Sequence, residues 1–182
     1  LTETSGQTGA AAFDAGLKIH AGYGQAEVEL VPEVKLTFGV RYEDGKQFVQ
    51  PVDLFGAGTG GVAATRIDNS YWLPAATMTW NFAEDMQLRV NSSKTIARPQ
   101  FRELALQLYQ DNESDRQFFG NPFLQDSELI NAEARYEYYF GRGQRFTLAG
   151  FYKKIDNPIE AFGFLAGGNT LQTSFANAPE AT

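Results

Sequence analysis

The chain has no cysteine and a single histidine, His20. Disulfide staples are excluded, a metal centre built on several His or Cys ligands is excluded, and a His-based catalytic triad has only one place to form. Long hydrophobic runs are also missing: no apolar stretch approaches the about 20 residues of a membrane-spanning helix. Positive charge is scarce, with 15 Lys and Arg against 22 Asp and Glu and a net charge of −7. That balance argues against nucleic acid as a partner, because phosphates demand a basic surface. The first residue is Leu, residues 1–10 read as a loop without a signal peptide, and the expectation is a piece of a longer chain.

What the sequence does have is aromatic residues, 14% of the total, and 18 glycines. They fall in long alternating stretches. From Tyr71 onward, Trp72, Pro74, Ala76, Met78, Trp80 and Phe82 point one way, against Tyr71, Leu73, Ala75, Thr77, Thr79 and Asn81. Trp72 and Phe82 are ten positions apart, which at about 3.3 Å per residue and a tilt near 45° separates them by roughly 23 Å in depth. An outer-membrane barrel carries an apolar band about 25 Å tall between two aromatic girdles. From Val34, the set Val34, Leu36, Phe38, Val40 and Tyr42 alternates without exception with Lys35, Thr37, Gly39, Arg41 and Glu43. Met86, Leu88 and Val90 alternate with Gln87, Arg89 and Asn91; Ile130 to Phe140 alternates with Asn131, Glu133, Arg135 and Glu137. Phe146, Leu148, Gly150 and Tyr152 continue the pattern with weaker contrast. Two irregularities stand out. Lys94 falls on the apolar phase, so either a bulge resets the register or the strand has left the apolar zone; and the first strand switches phase between Tyr23 and Ala26, which predicts a bulge near Gly24.

Connections alternate between short and long. Val31–Glu33, Ala83–Asp85 and Gly141–Gln144 are tight turns. The expected hairpins span about 16–44, 71–97 and 127–156, joined by long polar loops at about 45–70, 98–126 and 157–182. Loops beyond about 15 residues are uncommon within compact domains, whereas outer-membrane barrels have short turns at one end and long loops at the other. The fold class is therefore all-β: an antiparallel up-and-down meander of about six long strands, forming a section of a large transmembrane β-barrel.

Little of the sequence suggests catalysis. Gly56, Gly58 and Gly61 match a dinucleotide fingerprint, but no helix of a βαβ unit follows, and a plain loop is the better reading. Asp111, Asn112, Glu113, Ser114 and Asp115 supply oxygen ligands without the glycine and distal Glu of an EF-hand, so they read as a solvated acidic loop. His20 is expected on the wet face of its strand. No nucleophile, base and oxyanion donor assemble, so the chain reads as a non-enzyme without cofactor.

Several strings resemble the barrel of TonB-dependent outer-membrane receptors: Ser93-Lys94-Thr95-Ile96-Ala97-Arg98-Pro99 followed by Phe101-Arg102-Glu103-Leu104, then Gly39-Val40-Arg41-Tyr42-Glu43, Gly120-Asn121-Pro122, and Phe151-Tyr152-Lys153-Lys154-Ile155-Asp156-Asn157-Pro158. They span the chain from about Leu17 onward, although Phe123 to Asp126 depart from the family pattern. The resemblance implies an interior segment of a barrel of about 22 strands, in the bacterial outer membrane. Its implied neighbours are membrane lipid, a plug domain and the remaining strands, with the TonB complex reached only through the plug. It implies energised uptake of siderophores, cobalamin or glycans by the intact receptor. Ligand contacts are expected from Arg102, Tyr109, Arg116, Phe118 and Phe119, which combine aromatic platforms with cationic donors, with packing inside the loop an equal alternative for Phe118 and Phe119. The competing readings are a soluble β-sandwich that binds carbohydrate and a segment of a diffusion porin.

Overall fold

The computed structural model describes residues 12–52, 64–111, 116–166 and 170–182. In chain order the elements are β1 (Ala12–Val31), β2 (Val34–Val52), β3 (Thr65–Ala83), β4 (Met86–Ala97), the short helix α1 (Phe101–Leu104), β5 (Leu108–Asp111), β6 (Arg116–Phe119), β7 (Ser127–Gly141), β8 (Gln144–Asp156), β9 (Ile159–Ala166), β10 (Thr170–Asn177) and β11 (Glu180–Ala181). The main sheet has seven strands in the order β1-β2-β3-β4-β7-β8-β11, all pairs antiparallel. β5, β6, β10 and β9 form a second, four-stranded sheet.

The registers carry the alternation across the whole main sheet. Opposed residues share a face, so the pairings Val34↔Trp80↔Leu88↔Tyr136↔Leu148 and Leu36↔Met78↔Val90↔Ala134↔Gly150 make continuous apolar rows. Trp72, Met78, Trp80, Phe38, Val40, Ile130 and Tyr136 lie on this face, and Arg41, Glu43, Arg89, Asn131, Glu133 and Arg135 on the other, as the alternation predicts. The apolar face is uncovered: Trp72 is 64% exposed and Leu148 63%. Aromatic pairs border it at both ends, Tyr42 against Trp72 with centroids 4.8 Å apart and, near the turns, Trp80 against Phe82 at 5.4 Å.

Beyond the Tyr42–Trp72 row the same face becomes charged. Ser70 Oγ donates to Asp44 Oδ1 at 2.7 Å, and Lys46 pairs with Asp68 at 3.3 Å. On the far strands Lys94 pairs with Glu128, while Lys154 reaches Asp156 at 3.0 Å and Glu180 at 3.1 Å. Lys94 sits opposite Ile130 with no register shift anywhere along β4 and β7. It keeps its phase because the strand has left the apolar zone, not because of a bulge.

Three expectations are corrected. No bulge occurs near Gly24, which pairs with Val40 in unbroken register; the only shift in β1–β2 lies between Glu29 and Val31, at the turn. Continuous pairing with β2 outweighs the strand's own apolar phase, so Leu17, Ile19 and Tyr23 join the polar face. For the same reason His20, opposite Asp44, lies on the face of Tyr42 and Trp72, above the aromatic border, and not on the polar face. The long loops are also shorter than expected. The β2–β3 ladder continues to Val49↔Thr65, and the segments 98–126 and 157–182 hold α1, β5, β6, β9, β10 and β11. The glycines at 56–61 and residues 112–115 of the acidic run lie outside the described residues.

A sheet with an uncovered apolar face and an unpaired strand edge recruits other surfaces. Expressed alone in detergent-free buffer, the segment is expected to self-associate; light scattering reporting a folded monomer with a cooperative melt would contradict this.

Candidate functional site

The polar face is most buried at the end of the sheet away from the tight turns, where the described parts of segments 98–126 and 157–178 fold across it as a cap. Glu43, on β2, is 7% exposed and accepts from Arg98 Nη1 at 2.6 Å and from Arg41 Nε at 3.0 Å. The Arg98 guanidinium lies over Gly45, where a Cβ would stand 2.5 Å from Nη2. One residue on, the Pro99 carbonyl accepts from Gln47 Nε2 at 2.8 Å. The other end of the same connection is fixed too: Asp126 Oδ2 accepts from the Tyr71 hydroxyl at 2.8 Å and from Asn69 Nδ2 at 3.1 Å. The link from β4 to β7 is thus held at both ends by β2 and β3, so it lies over the polar face instead of projecting beyond the strand tips.

Beneath the cap is a small apolar core of Val49, Leu104, Ala105, Leu124 and Phe175, with Phe101, Phe118 and Ile159 packed against it. The parallel pairing of β6 with β10, through Phe118↔Thr173 and Phe119↔Ser174, joins the two segments into one sheet. Asn121 Nδ2 donates to the Phe175 carbonyl at 2.8 Å, and Ser174 Oγ to the Phe119 carbonyl at 2.8 Å.

Of the residues expected to contact a ligand, Arg102 is exposed on α1, its Nε donating to Gln100 Oε1 at 3.0 Å. Tyr109 stacks on Phe118 at 5.4 Å and 12°, and Phe118 in turn on Phe175 at 6.0 Å and 14°. Phe118 therefore has a packing role within the cap. Phe119 is half-buried at the β6–β10 junction, and Arg116 opens β6 opposite Asp111. All five residues lie in the same capping segment. Sequence reasoning did not single out Arg98, Gln47, Asn69, Tyr71 or Asp126; their partners are more than fifty residues away in the chain, and only the Arg98-Pro99 string hinted at a special position. Among the described residues no three His, Asp or Glu side chains gather as a metal site. The arrangement offers donors, carboxylates and aromatic faces for binding.

The family model described as TonB dependent receptor-like, beta-barrel matches residues 2–182. The chain belongs to the TonB-dependent receptor β-barrel family. Its architecture is similar to that of the Serratia marcescens hemophore receptor HasR, solved as a double mutant with its hemophore HasA and heme, at a TM-score of 0.67 and 16% identity, covering 91% of this chain and 30% of that one. The siderophore receptor PirA of Pseudomonas aeruginosa follows at TM-score 0.57 and 15% identity, with 92% of this chain and 38% of that one covered. The ferric enterobactin receptor PfeA of Pseudomonas aeruginosa, a Q482A mutant in complex with enterobactin, has TM-score 0.54, 16% identity and coverage of 92% and 32%. The chain spans about a third of the length of these receptors. No curated protein sequence matches it. Members of this family are receptors and not enzymes, and the two-faced meander is a stretch of their barrel wall.

Proposed function

We propose that this segment is part of the wall and outer cap of a bacterial outer-membrane receptor that takes up a scarce, large nutrient with TonB-derived energy. The observation that carries this reading is the main sheet itself: one uncovered apolar face bordered by aromatic rows, one polar face, tight turns at one end and a folded cap at the other. In this reading lipid covers the apolar face, and the polar face looks into the lumen toward a plug. A soluble sandwich is not favoured, because its strands average about five to six residues and β1, β2 and β3 run for 20, 19 and 19.

The substrate class we favour is an iron carrier, a ferric siderophore or heme, ahead of cobalamin or a glycan. It rests on what the structurally similar receptors are described as binding. Arg102 and Arg116 are the proposed cationic contacts, and Tyr109 and Phe119 the proposed aromatic ones, all four in the same capping segment of the chain. In the full-length receptor, Arg102→Ala together with Arg116→Ala is expected to weaken binding of the cognate ligand about a hundredfold or more, roughly tenfold or more for the charge-assisted hydrogen bond lost at each position, while barrel assembly stays intact. Binding titrations across ferric enterobactin and heme test this, and unchanged affinity for the ligand that binds would remove both arginines from the site.

A further inference from the structure

The four-stranded sheet of the cap ends in a long, open edge. Its strand order is β5-β6-β10-β9, and among the described residues β9 pairs only with β10, in unbroken register from Ile159↔Asn177 to Leu165↔Leu171. Proteins guard a free edge by keeping the strand short, by placing lysine or proline on it, or by bulging it. The strand at the other end of the sheet, β5, is four residues long and ends on Asp111. β9 has eight residues, with one charge at Glu160, no lysine, no proline and no register shift. Ala161, Phe162, Gly163 and Leu165 are exposed, and since Gly163 has no side chain, what it exposes is backbone. Both faces of the strand are apolar as well. Phe162 lies beside Phe164 with ring centroids 6.2 Å apart on one face, and Leu165, 67% exposed, follows Gly163 on the other.

We propose that the β9 edge is a docking site for an extended strand from another connection of the same receptor, outside residues 1–182. A free edge offers N–H and C=O groups in alternation, and only another extended backbone matches them in full. The cap sheet is already assembled in this way. β6 comes from segment 98–126 and β10 from segment 157–178, yet they pair in parallel through Gln172↔Gln117, Thr173↔Phe118 and Ser174↔Phe119, with Gln172 Nε2 donating to Gln117 Oε1 at 3.2 Å. β9 continues that junction by one place. The chain spans about a third of the structurally similar receptors, so most of their connections lie outside it. The incoming strand is expected to place an aromatic or β-branched side chain opposite Gly163, where the edge has no side chain of its own to pack. The proposal uses the receptor family but not the nutrient carried.

Two measurements on the full-length receptor in lipid nanodiscs, without added ligand, test it. The first is residue-resolved hydrogen exchange along β9 in the wild type. On an open edge every second amide faces solvent and exchanges fast, whereas a docked strand protects consecutive amides from Glu160 to Leu165. The second identifies the neighbour. Phe162→p-benzoylphenylalanine puts a photoreactive aromatic group at an exposed position, and mass spectrometry of the crosslinked peptides reads what it meets. The expected result is consecutive protection together with a crosslink, within one receptor chain, to a peptide outside residues 1–182. Protection that alternates along β9 would overturn the proposal, as would a crosslink found only inside residues 1–182 or only to a separate protein. Neither readout depends on ligand binding by Arg102 and Arg116, so the two proposals fail independently.

Discussion

Glu43→Ala in the full-length receptor is expected to loosen the cap from the wall by about 3 kcal/mol, the lower end of the range for removing one partner of a buried ion pair. The size follows from what is left behind. The Arg98 side chain is only 14% exposed, and among the described residues Nη2 already lacks a partner. Without Glu43 the guanidinium has no anion, and Arg41, the other cation on that carboxylate, is left facing it. A change of 3 kcal/mol is roughly a hundredfold in population. Hydrogen exchange at Leu104 and Ala105, whose amides bond to the Gln100 and Phe101 carbonyls, should accelerate by about that factor, while the amides of β4 and β7 keep their protection. Acceleration of less than threefold, or equal loosening of the whole wall, would show that the pair does not hold the cap.

The second large effect is expected from one methyl group. At Gly120 an added Cβ would stand 2.0 Å from the Ala105 carbonyl oxygen and 3.0 Å from that of Arg102. Both obstacles are backbone, so relief requires moving α1 away from the turn at Asn121. Gly120→Ala should destabilise the cap by about 2–3 kcal/mol, as overpacking of a tight site does. The bond from the Asn121 amide to the Glu103 carbonyl, 2.6 Å, reports the movement in exchange experiments. Gly22→Ala and Gly24→Ala are the controls, since a Cβ there meets nothing within 4 Å. A cap as well protected in Gly120→Ala as in the controls would contradict the packing described.

The two faces were legible in the sequence because a strand's period of two is a local property, and Val34 to Glu43 or Ile130 to Phe140 each show it unaided. Positions fixed by a neighbouring strand were not. In β1, Leu17, Ile19 and Tyr23 suggested one phase and Ala26 and Val28 the other, yet pairing with β2 runs through them without a break. Polarity was also mistaken for loop. Lys46 and Asp68 mark where this face turns from apolar to charged, and the ladder continues past them through a cross-strand ion pair. The cap was the least legible part, because its anchors join residues far apart in sequence. Glu43 meets Arg98 and Phe119 meets Ser174 across 55 residues each, and no short-range pattern announces such partners. A packing role for Phe118 could be read from the sequence, but not its partner Phe175, which lies 57 residues away.

In the full-length receptor, the face bearing Trp72, Met78 and Trp80 is expected to meet lipid and the opposite face water. Single cysteines placed in turn at positions 72–82 of the full-length receptor, in a segment with no cysteine of its own, can carry spin labels in a reconstituted bilayer. Collision rates with oxygen, which concentrates in lipid, and with a water-soluble nickel complex then report the environment of each site. The account predicts a period of two, with oxygen favoured at Trp72, Ala76, Met78 and Trp80 and nickel favoured at Leu73, Ala75, Thr77 and Thr79. Equal accessibility of the two sets, or the reverse order, would contradict it.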